Sequence, residues 1–121
     1  MEHPVKTYIT AGSIISSLGF GAEENFARIR AYRSGIGRVD DGTLFDLPFM
    51  AARVDATRLQ DAALPLSMER YTRLEQMFIL SVSDTVRQSG IDISGSDCAL
   101  IISTTKGNID FLGMRPDTPP E

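Results

Sequence analysis

Five apolar residues in a row, Cys98-Ala99-Leu100-Ile101-Ile102, constrain this chain more than any other stretch. A half-buried strand alternates apolar and polar residues, so a short unbroken apolar run predicts a strand covered on both faces. Strands of that kind belong to α/β sheets with helices packed on each side. The run then changes abruptly to Ser103-Thr104-Thr105-Lys106-Gly107-Asn108. In open α/β sheets, ligands bind at the loops beyond the carboxyl ends of the strands. Core and functional edge are therefore both expected here.

The other elements can be placed around that strand. Residues 5–11 (VKTYITA) are rich in β-branched and aromatic side chains and predict the first strand. The following GSIISSLGFG holds three glycines, which favours a tight bend under another element. A phosphate-binding turn is the competing reading, but the spacing fits neither GxGxxG nor GxxxxGK[ST]. Residues 22–32 predict a helix with Phe26 and Ile29 toward the core, acids in its first turn and arginines in its last. Ser34-Gly35 supplies the stop.

Residues 36–47 read as a loop with a turn at Asp41-Gly42, and 48–55 as a short edge strand begun by a proline. The aspartates of that loop lack the spacing of a calcium loop and read as solvated turn residues. A helical turn is expected around residues 58–62. Residues 67–89 form the strongest helix pattern, with Ser67 as N-cap and Gly90 at C′. Between Gln76 and Ser83 that helix is apolar nearly all round, which predicts burial on two sides. The tail, residues 113–121, carries three prolines in its last six positions and reads as a linker or a cut surface.

Composition excludes several classes of function. A net charge of −4 with no basic stripe argues against nucleic acid as the main partner. No apolar run approaches the length of a membrane span, and the N-terminus lacks a signal-peptide layout, so a soluble cytoplasmic chain is expected. The single cysteine and single histidine predict neither an internal disulfide nor a structural metal site. No cofactor is expected.

Four blocks, in order, resemble one family. Tyr8-Ile9-Thr10-Ala11-Gly12-Ser13-Ile14-Ile15-Ser16-Ser17-Leu18-Gly19 is similar to the opening of β-ketoacyl-ACP synthases, whose first strand runs into a [VI]-T-G-x-G-x-[VI]-S-x-L-G pattern. Glu24-Asn25-Phe26 through Arg33-Ser34-Gly35-Ile36 resembles the next helix and its SGI ending. Met68 to Gly90 resembles the following long helix, and Ile102 to Asp110 the segment after the next strand. The mild departure is Ala11, where the family usually has Gly or another small residue.

The resemblance implies the N-terminal part of a thiolase-like, layered α-β-α-β-α fold, residues 1–121 forming a partial βαβ half. It implies an acyltransferase, a homodimer working with an acyl carrier protein in fatty-acid or polyketide synthesis. The reaction is decarboxylative Claisen condensation with malonyl-ACP. The family's nucleophilic cysteine and its two histidines (or His and Asn) match nothing in this chain, so no catalytic residue is assigned and the segment alone is expected to be inactive. Cys98 reads as a structural thiol in a buried strand, with no His or Lys to activate it. His3 is isolated, so it offers no general base. Thr104, Thr105, Asn108, Phe111 and Leu112 become candidates for the acyl pocket or dimer interface. Capping of the strand end and the next helix is the alternative role for the three polar ones. Lys106 is either an attraction for an acidic carrier or phosphopantetheine, or a solvated charge. Two other readings compete: a freestanding α/β module that binds an anionic ligand or partner through residues 103–110, and a subunit that completes a partner's sheet.

Overall fold

The structure is a computed structural model that describes residues 6–109. It is mixed α/β, with small antiparallel sheets and three helices. In chain order the elements are β1 (Ile15–Ser16), β2 (Gly19–Phe20), α1 (Ala22–Arg30), β3 (Ile36–Val39), β4 (Phe49–Ala52), α2 (Ala56–Ala63), a 3-10 turn (Leu64–Leu66) and α3 (Arg73–Ser89).

The glycine-rich stretch folds as the expected tight bend. Ile15 pairs with Phe20 and Ser16 with Gly19, and the Ser16 hydroxyl accepts from the Leu18 N–H at 3.0 Å inside the turn. Gly19 has φ of 147°, a conformation that L side chains rarely adopt, and a Cβ there would fall on the Glu24 carboxyl group. The bend is closed from below by α1. Asn25, 3% exposed, shares its amide N–H groups among the carbonyls of Ile14, Gly19 and Gly21 at 3.2, 3.0 and 2.8 Å. Its Oδ1 accepts from the Ser16 hydroxyl. A buried polar side chain is tolerated because every group it carries is paired.

Helix α1 starts where predicted and keeps the charge gradient, but it ends at Arg30, with Tyr32 (φ 54°) and not Gly35 in the left-handed region, and its facing is corrected. Phe26 and Ile29, expected in the core, are 61% and 57% exposed, and Asn25 is the buried residue of the helix. The reason is the bend: the Asn25 side chain reaches the carbonyls of Ile14, Gly19 and Gly21, and that face of the helix is turned inward.

The predicted loop at 36–47 is also corrected. Its first four residues form β3, paired antiparallel with β4 from Ile36↔Ala52 to Val39↔Phe49. Gly37 and the mixed polarity of I-G-R-V hid a strand whose ladder partner lies beyond the intervening turn. In that turn, Asp41 accepts from the Thr43 N–H at 3.1 Å and its hydroxyl at 2.6 Å.

Asp55 caps α2 by accepting from the Arg58 N–H at 3.0 Å. The buried apolar residues of the helical part are Leu59, Ala63 and Met68. Helix α3 ends as expected, with Gly90 in the left-handed region at φ 66°. Its start is corrected: the N-cap is Thr72, and Ser67, at φ 52°, closes the preceding 3-10 turn. Residues 76–82 are half-buried, so the second face expected to be covered lies partly open.

Two strand expectations are overturned. Residues 6–11 and 98–102 belong to no sheet. Ile9 is 97% exposed and Ile101 90%. A strand exists only through a ladder partner, and neither segment has one among the described residues.

Candidate functional site

The candidates of the 103–110 loop fare differently. Thr104 Oγ1 accepts from the Gly107 N–H at 3.0 Å, so this hydroxyl closes its own loop. Asn108 reaches across thirty-six positions to the start of α3. Its Oδ1 accepts from the Thr72 hydroxyl at 2.8 Å, and its Nδ2 donates to Glu75 Oε1 at 3.0 Å. Thr105 and Lys106 are exposed. Phe111 and Leu112 lie outside the described residues, as does His3.

Asn108 thus docks on a capping box. Glu75 Oε2 accepts from the Thr72 N–H at 2.8 Å, and Thr72 Oγ1 accepts from the Glu75 N–H at 3.2 Å. Thr72 both caps the helix and donates to the loop, which joins the two elements through one hydroxyl. The Thr72 backbone N–H, then its hydroxyl and the Asn108 amide, hold the Glu75 carboxyl below the usual carboxylate range. The sequence signal for this cap, Thr72-Arg73-Leu74-Glu75, is the T-x-x-E pattern. It is legible in the chain, but Ser67 competes as an N-cap until the 3-10 turn is seen.

An open groove of about 620 Å³ lies along α3. Phe78, Val82 and Val86 of α3 form its floor, and Ile93, Cys98 and Leu100 line its side. Cys98 is exposed on this groove, which corrects its expected place in a buried strand. The cause is the missing ladder: no strand among the described residues pairs with residues 98–102, and Cys98, Ala99 and Leu100 border an open groove along α3. Ser13 enters the same groove from the first glycine-rich stretch. Its hydroxyl, followed by Arg87, holds the Asp84 carboxyl low.

A second polar cluster, absent from the sequence reading, joins α1 to α2. Arg58 Nη1 and Nη2 donate to Glu24 Oε1 and Oε2 at 2.9 and 3.0 Å, and the guanidinium lies 4.7 Å from the Phe20 ring centroid. Arg28 adds a contact to Glu24 Oε1 at 2.8 Å. The Glu24 carboxyl is lowered to about 2, chiefly by Arg58 and then by the Phe20 N–H. Every charge here is paired, which suits bracing and leaves nothing for a substrate.

No group of three or more His, Cys, Asp or Glu among the described residues is placed to hold a metal ion. No helix among them is long and apolar enough to cross a membrane. The chain matches no protein-family model, no curated protein and no solved structure.

Proposed function

We propose that this chain is the N-terminal portion of a β-ketoacyl-ACP synthase, a scaffold segment of an enzyme that elongates acyl chains. The reaction joins an acyl group, held as a thioester on an enzyme cysteine, to the carbanion left when malonyl-ACP loses CO₂. A C–C bond forms, and the C–S bond to the enzyme breaks. The nucleophile and the histidines come from elsewhere in the enzyme, since no residue of this chain takes those roles. In this reading Thr104, Thr105, Asn108, Phe111 and Leu112 lie near the acyl pocket or the dimer interface.

One observation carries the reading. Residues 98–102 have the composition of a doubly covered strand, yet Leu100, Ile101 and Ile102 are exposed and no ladder partner lies among the described residues, an apolar run without the cover its composition calls for. A second fits with it: the S-x-L-G and S-G-I blocks pack together. A Cβ on Gly35 would meet the Ser17 hydroxyl and lie 3.1 Å from Leu18 Cγ, so glycine is needed where these blocks touch. The alternative of an anion-binding loop is disfavoured by chemistry. The Thr104 hydroxyl and the Asn108 amide are already engaged, and the Glu75 carboxylate stands at the loop's base.

The test is to read the gene past the codon for Glu121 and assay the encoded protein with an acyl thioester and malonyl-ACP. Condensation should depend on a downstream cysteine and survive Cys98→Ala, while residues 1–121 alone give none. A reading frame without a further cysteine, or condensation by residues 1–121 alone, would overturn the proposal.

A further inference from the structure

We draw no further inference here: the strongest candidate, the open apolar groove of about 620 Å³ along α3 that Phe78, Val82 and Val86 share with Ile93, Cys98 and Leu100, carries nothing because no feature among the described residues shows what covers it.

Discussion

Arg58 and Glu24, thirty-four positions apart, meet side on, each guanidinium nitrogen donating to its own carboxylate oxygen at 2.9 and 3.0 Å. This fork-on-fork pair joins α2 to the mouth of the first bend, because Glu24 Oε2 also accepts from the Phe20 N–H at 2.9 Å. Lysine could supply the charge but not the geometry.

Acid should therefore weaken the fold through Glu24. A carboxyl whose pKa falls on folding adds stability above its unfolded value and loses it as pH drops toward the folded one. For Glu24 the window runs from the ordinary 4.5 down to about 2. Thermal melts between pH 7 and 2 should show the melting temperature falling across that window. Glu24→Gln should melt lower at pH 7 and lose less of its stability on acidification. A parallel decline in both proteins would remove Glu24 from the account.

Asn25 should be the least replaceable polar residue of the first bend. Asn25→Ala removes the buried side-chain donor to the Gly19 carbonyl, at about 1–3 kcal/mol. Asn25→Asp should be worse at neutral pH, since it sets a carboxylate against three carbonyl oxygens. Its pKa would be raised, so the deficit should shrink as pH falls and the acid regains a proton. Urea midpoints of both variants at two pH values check the order and the sign.

The loop and the helix share a hydroxyl at Thr72, and a double-mutant cycle can read that coupling. Thr72→Ala should cost about 1 kcal/mol as a lost N-cap. Asn108→Ala should cost less, and the two losses should fall short of additive, because both remove the same Thr72–Asn108 hydrogen bond. Full additivity would mean that the loop is not held by the cap.

Gly19→Ala tests whether bend and brace are one unit. The new methyl group would displace the Glu24 carboxyl from the Phe20 N–H and Arg58, besides the strain at φ 147°. In the Gly19→Ala protein, a further Arg58→Ala change should therefore cost much less stability than it does in the parent. Denaturant midpoints of the four proteins measure it.

The legible parts of this chain were those whose cause is local. The start of α1, its charge gradient, the stop of α3 at Gly90 and the bend around Ser17-Leu18 follow from neighbours within a few positions. The T-x-x-E cap was also local, though Ser67 masked it. Asn108 could be picked out as polar and beyond a strand-like run, but not as the partner of Thr72, because nothing in a sequence sets the distance between position 108 and position 72.

Sequence alone determined which segments favour helix, turn or strand, since backbone propensity and polar–apolar spacing act over one or two turns of chain. Only the tertiary structure decided which strand-forming segments become strands. Ile36–Val39, with a glycine and an arginine in it, found Phe49–Ala52 and formed a ladder; the five apolar residues at 98–102 found none among the described residues. The physical reason is that helix hydrogen bonds close four residues away, while a strand's close wherever a second strand happens to lie.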